Sequence, residues 1–157
     1  MLLLGALVAA SADCSAGAPA GAPAAAPPDS MHFEITTPAE VPQGDPVPVN
    51  LRLTNTTDRP ITVYIQGRPP AFDIVMKNAS AAVVWRRLEG QTIPAILGVH
   101  TLEPGRALEF SDTWNQRTLG GALVPPGRYT VTGALLTDEP VPLTTPPRPI
   151  RIIARPC

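Results

Sequence analysis

A chain of 157 residues and 16.5 kDa has room for one ordinary domain with some spare length, and not for two. Proline fills 21 positions, and because its ring removes a helical donor and clashes with the preceding turn, that density excludes a bundle of long helices. With 44% apolar residues and a formal charge of −1, the chain can bury a core and offers no broad electrostatic attraction to nucleic acid or to an anionic membrane.

The chain opens on an apolar run, Leu2 to Ala10, too short to cross a bilayer core of about 30 Å as a helix. It ends in Ala10-Ser11-Ala12, with small residues at the places a signal peptidase inspects. Residues 1–12 therefore read as a signal peptide cut before Asp13; the plainer reading is a disordered Ala-rich terminus. Export would place the mature protein in the periplasm, on the cell surface or outside the cell. Cys14 leaves two roles open. It can carry a lipid anchor, which is the only route to a membrane that the sequence offers, or it can pair with Cys157, the one other cysteine. A disulfide closing so long a loop stabilises by up to ~4–5 kcal/mol in the chain-entropy treatment. Residues 15–28 hold no aromatic or branched aliphatic side chain, so residues 13–29 are expected to form a disordered linker. The folded domain is then residues 30–157.

Within that domain the apolar residues fall on a period of two. Phe33-Glu34-Ile35 is a short first strand. Val47, Val49, Leu51 and Leu53 alternate with Pro48, Asn50, Arg52 and Thr54, the pattern of a half-buried strand. Asn55-Thr-Thr-Asp-Arg-Pro60 has turn chemistry, and Ile61, Val63 and Ile65 resume the alternation. These two strands are expected to form a hairpin. The sequons at Asn55 and Asn78 read as turn signals. Phe72, Ile74 and Met76 make the next strand, Val83-Val-Trp-Arg86 another, and Leu108, Phe110, Asp112 and Trp114 a further one. Asp112 falls on the apolar face and is expected at a sheet margin or beside a hydrogen-bond partner. Tyr129, Val131, Gly133 and Leu135 follow the turn at Pro125-Pro-Gly127, and Ile150-Arg-Ile-Ile153 closes the chain. Tyr129 reads either as a corner tyrosine with its hydroxyl on the backbone or as a plain cross-strand aromatic. Seven to eight short strands between turns, with no crossover helix, predict an all-β, immunoglobulin-like antiparallel β-sandwich. Its candidate core aromatics are Phe33, Phe72, Trp85, Phe110, Trp114 and Tyr129.

No catalytic constellation is legible. His32 and His100 stand in no metal-ligand spacing, and the serines occupy neither a GxSxG elbow nor an SxxK pair. No phosphate-cradling Gly-rich loop precedes a helix. Catalytic residues, metal ligands and cofactors are accordingly all expected to be absent.

The order of motifs is more informative than any one of them: Leu51-Arg-Leu-Thr-Asn55 with Ile61-Thr-Val63, Phe72-Asp-Ile-Val75, Val84-Trp-Arg86, Leu102-Glu-Pro-Gly105, Leu108-Glu-Phe110 with Trp114, and Pro126-Gly-Arg-Tyr-Thr-Val131. Over about residues 45–137 this succession resembles the BsuPI family of bacterial intracellular proteinase inhibitors. The resemblance implies an antiparallel sandwich that binds subtilisin-type serine proteases, and it assigns no inhibitory residue. Physical reasoning supplies a candidate separately. Gln91 to Gly98 is aperiodic, apolar and stiffened by Pro94, and a stiff loop loses little freedom on entering a cleft. Ile93, Pro94, Ala95, Ile96 and Leu97 are the expected protease-binding loop, with Ile96 or Leu97 in the specificity pocket. The competing reading has Ile93, Ile96 and Leu97 capping one end of the core. The Gly67–Pro70 turn and the Arg117–Leu123 loop are lesser candidates. A non-inhibitory adhesion or interaction module on the same scaffold is the functional alternative.

Overall fold

The computed structural model describes residues 30–157. The expected signal peptide, the expected linker and Cys14 lie outside these residues. Eleven strands follow one another among the described residues: β1 (Met31–Thr36), β2 (Glu40–Pro42), β3 (Val47–Asn55), β4 (Ile61–Gln66), β5 (Phe72–Asn78), β6 (Val83–Arg86), β7 (Leu97–Leu102), β8 (Ala107–Trp114), β9 (Gly127–Leu135), β10 (Leu143–Thr144) and β11 (Arg148–Ile153). One sheet has the order β1-β3-β8, a larger one β2-β11-β9-β5-β6 with β10 also on β9, and β4 and β7 form a two-stranded ribbon. All pairings are antiparallel except β2 with β11. The protein is an all-β, immunoglobulin-like sandwich. The strands beyond the seven or eight expected are β2, β7 and β10, two of them too short to show a period and the third masked for a reason given below.

The alternation in the sequence is the alternation in burial. Val47, Val49, Leu51 and Leu53 of β3 face inward with Ile74 and Met76 of β5 and Tyr129, Val131 and Leu135 of β9, forming one core. Each such large side chain contributes on the order of 1.5–3 kcal/mol when removed from water. Phe33, Phe72, Trp114 and Tyr129 are buried, while Trp85 and Phe110 are partly buried and pack against the core. The two large sheets approach closely at Gly133, where a Cβ atom would lie 2.2 Å from Cδ2 of Leu51. Tyr129 is the corner tyrosine: its ring meets Trp114 edge-on with centroids 5.9 Å apart, and its hydroxyl donates to the Pro125 carbonyl at 2.7 Å.

The expected β3–β4 hairpin does not form. β3 pairs with β1 and β8, with Leu53 opposite Leu108, and β4 pairs with β7, with Ile61 opposite Leu102. The cause is Asn55. It is fully buried, its Nδ2 donates to the carbonyls of Leu102 (2.8 Å) and Arg59 (2.7 Å), and its Oδ1 accepts the Thr57 N–H at 2.8 Å. The turn thus passes the chain from one sheet into the ribbon. A period of two states which face is buried and leaves the partner strand unspecified.

Candidate functional site

The segment from Arg87 to Ile96 joins β6 to β7, and both of its ends are fixed. At the β6 end, Asp73 of β5 is buried and fully engaged: Oδ1 accepts the N–H groups of Ile74 (2.9 Å) and Leu88 (3.1 Å), and Oδ2 accepts Nε of Arg86 at 2.5 Å. The hydrogen bond to Asp73, reinforced by its charge, raises the pKa of the Arg86 guanidinium above its ordinary value. Arg87 turns the other way. Its Nε donates to Asp112 of β8 at 2.6 Å, its Nη1 to the Phe72 carbonyl of β5 at 2.8 Å, and its guanidinium lies 3.8 Å from the centroid of the Phe72 ring. That ring packs on Phe110, with centroids 5.3 Å apart. One side chain therefore ties the base of the segment to both large sheets, and it is the partner expected for Asp112. Gln91 then folds back, its N–H donating to Leu88 O at 3.1 Å and its Nε2 to Arg87 O at 3.2 Å.

At the far end the Ile96 carbonyl accepts the Gly67 N–H at 2.8 Å. Gly67 has φ of +84°, and a Cβ there would stand 3.0 Å from the Pro69 carbonyl oxygen, so glycine is required both by the backbone and by the space. The Gly67–Pro70 turn, a separate candidate in the sequence, is in this way the immediate neighbour of Ile96.

Between the anchors Ile93 is half-buried, and Pro94, Ala95, Ile96 and Leu97 are exposed. Ile96 and Leu97 therefore do not cap the core. Leu97 also departs from the expected loop by being the first residue of β7, opposite Gln66 of β4. The apolar surface continues past it. Ile96 (48% exposed), Leu97 (45%), Val99 (64%) and Tyr64 (42%) adjoin along the ribbon, Val99 lying directly opposite Tyr64. Sequence reasoning missed Tyr64 and Val99, although an aromatic among Thr62 and Gln66 on the wetted face of β4 was the available signal. The Arg117–Leu123 loop is closed on itself by Arg117 Nη1 donating to the Gly121 carbonyl at 2.9 Å, and it rests on β6 through Leu119 N–H and Val84 O at 2.9 Å.

His32 and His100 are not brought into a cluster; His32 lies 3.4 Å from exposed Glu34. No group of three or more His, Cys, Asp or Glu side chains able to hold a metal occurs among the described residues. Cys157 is an exposed free thiol. The arrangement is an exposed, uncharged, largely apolar strip on the β4–β7 ribbon.

An immunoglobulin-like sandwich presenting an anchored apolar segment is a binding scaffold. The profile of BsuPI, described as intracellular proteinase inhibitor, matches residues 34–140, and the chain belongs to this family. No curated protein matches the sequence. Among solved structures the chain is similar to part of a β-glucosidase from Erythrobacter marinus, with 15% identity, a TM-score of 0.45, and coverage of 79% of this chain and 15% of that one. It is also similar to part of a β-glucosidase from Listeria innocua, with 10% identity, a TM-score of 0.45 and coverage of 80% and 16%. The CARDB domain of a Pyrococcus furiosus protein shares 9% identity with a TM-score of 0.40 over 80% of this chain and 94% of that one. The chain spans only 15% and 16% of the two glucosidases.

Proposed function

We propose that this protein inhibits a serine protease of the subtilisin type by inserting Ile93–Leu97 into the enzyme's cleft, with Ile96 or Leu97 filling the specificity pocket. The observation that carries the reading is the exposure of Pro94 to Leu97 on a segment fixed at its base by Arg87 and at Ile96 by Gly67, in a chain of a proteinase-inhibitor family. Ordering a flexible segment costs about 1–2 kcal/mol per residue for the backbone, and a segment already held by Arg87, Gln91 and Gly67 avoids much of that loss on binding. Moving an isoleucine or leucine side chain from water into an apolar pocket contributes on the order of 1.5–3 kcal/mol. Inhibition of this kind is occupancy alone and needs no chemistry from the inhibitor. The protein acts after export, with residues 13–29 as the spacer between the sandwich and either a free Asp13 end or a lipid on Cys14.

The test is inhibition of subtilisin by the full chain and by Ile96→Asp and Leu97→Asp variants, alongside their melting temperatures. Loss of inhibition by at least tenfold with unchanged melting supports the reading. Wild-type chain that fails to slow the enzyme at micromolar concentration replaces it with a non-inhibitory interaction module.

A further inference from the structure

The ribbon has an open edge, and its main-chain chemistry can be read from the bonds on the opposite side. The segment after β9 covers the outer edge of β4: Asp138 N–H donates to Tyr64 O at 3.1 Å, and Gln66 N–H to Leu136 O at 2.8 Å. In an antiparallel pair, successive residues aim their N–H and C=O groups alternately toward and away from the partner strand. Tyr64 and Gln66 thus point away from β7, so their opposites Val99 and Leu97 point away from β4, as does Thr101 opposite Thr62. The Gly67-to-Ile96 bond fits the same alternation. Among the described residues no strand pairs with that side of β7.

Exposed edges are ordinarily blunted by charge, proline or a bulge. β1 carries Glu34, β8 carries Glu109 and Asp112, and β2 ends in Pro42. β7 has none of these devices: Leu-Gly-Val-His-Thr-Leu holds no Asp, Glu, Lys, Arg or proline, and its ladder with β4 runs without a register shift.

We propose that β7 pairs edge to edge with β7 of a second copy of this chain, antiparallel about a two-fold axis at Val99. This inference does not rest on the protease reading, although Leu97 belongs to both surfaces. The strand is self-complementary: Val99 faces its own counterpart, Leu97 faces the counterpart of Thr101, and each of these pairs exchanges N–H and C=O groups. No charge within the paired strands opposes its like, because along the chain the nearest Asp, Glu, Lys or Arg residues are Glu89 and Glu103, beyond both ends of the paired segment. An extended strand of another protein has no such built-in match of register and side chain. The joined ribbons place Tyr64, Leu97 and Val99 of both copies on one uncharged face, interleaved with Thr62, Gln66 and Thr101. The pairing involves one short strand edge rather than a broad packed face of the kind that makes a standard stable interface, so the dimer is weak and fills only at high chain concentration.

Sedimentation velocity of the full chain from about 1 to 500 µM, with hydrogen exchange of β7 at both limits, tests this. The expected result is a monomer–dimer equilibrium in which the Leu97, Val99 and Thr101 amides gain protection as the dimer fills. Val99→Lys, which sets two like charges on the axis, weakens association at least tenfold. Val99→Pro does the same by removing a donor that β4 does not use; circular dichroism of both variants matches wild type. A chain monomeric throughout, or a dimer indifferent to both variants, overturns the proposal. So does a monomer whose Val99→Pro variant loses only protease inhibition, which gives the edge to the enzyme's strand instead.

Discussion

Replacing Arg87 with alanine tests whether the apolar segment is held from its base. The substitution removes a short ion pair to Asp112, a hydrogen bond to the Phe72 carbonyl and the cation stacked on the Phe72 ring. The Asp112 side chain is 39% exposed, so solvent screens the ion pair and its share is held to about 1 kcal/mol. The hydrogen bond to the carbonyl adds about 1 kcal/mol and the ring contact about 0.5–1 kcal/mol. The sum, about 2.5–3 kcal/mol, corresponds to a melting point lower by roughly 10 °C for a domain of this size. Urea and thermal unfolding measure it, and inhibition measured well below the new melting point separates loop order from global stability. Arg87→Lys is expected to recover little, because an ammonium cannot serve Asp112 and the carbonyl from a planar fork. Unfolding free energy within about 0.5 kcal/mol of wild type for Arg87→Ala refutes the reasoning, since the three contacts would then stabilise nothing.

Gly133→Ala is expected to destabilise by about 1–3 kcal/mol through its clash with Leu51, and adding Leu51→Val is expected to recover part of that loss; strictly additive losses in urea unfolding would show that the sheets do not meet there. Burial raises the pKa of the Tyr129 hydroxyl above its ordinary 10.0, so folding favours the protonated phenol. That stability is complete below pH about 10 and falls as pH rises through the folded-state value, a decline that Tyr129→Phe should lessen at a cost of about 1 kcal/mol near neutrality. Unfolding curves from pH 8 to 11 check both the direction and the loss. Intact-mass measurement of the chain expressed in a bacterium is expected to find an amino terminus at Asp13; an acyl-bearing Cys14 terminus would make the protein membrane-anchored, and a retained Met1 would contradict export.

Strands with one fully apolar face were legible because burial and alternation coincide in them, as in β3 and β9. β7 was illegible for the reverse reason. Its inward side presents Gly98 and His100 while Leu97 and Val99 face solvent, so hydropathy inverts the true faces. Strand partners were also beyond reach, because a buried asparagine chooses between β4 and β8 for the end of β3 and nothing in its local spacing announces the choice. Pro94 and the apolar residues around it drew attention to a segment that lies between β6 and β7 as far as Ile96, while its last residue, Leu97, belongs to β7. Its anchors, Arg87 and Gly67, come from positions that read as an ordinary strand end and an ordinary turn. Tyr64 joins the surface only because β4 lies beside β7, a long-range fact.

Hydrogen exchange of the full chain, alone and with an excess of subtilisin inactivated at its nucleophile, examines the proposed contact directly. The expected result is new protection at the Ala95, Ile96 and Leu97 amides, with the far-end turn at Gly44 and Asp45 unchanged. Protection confined to other loops, or none at saturating enzyme, would contradict the assignment of this segment as the one that meets the protease.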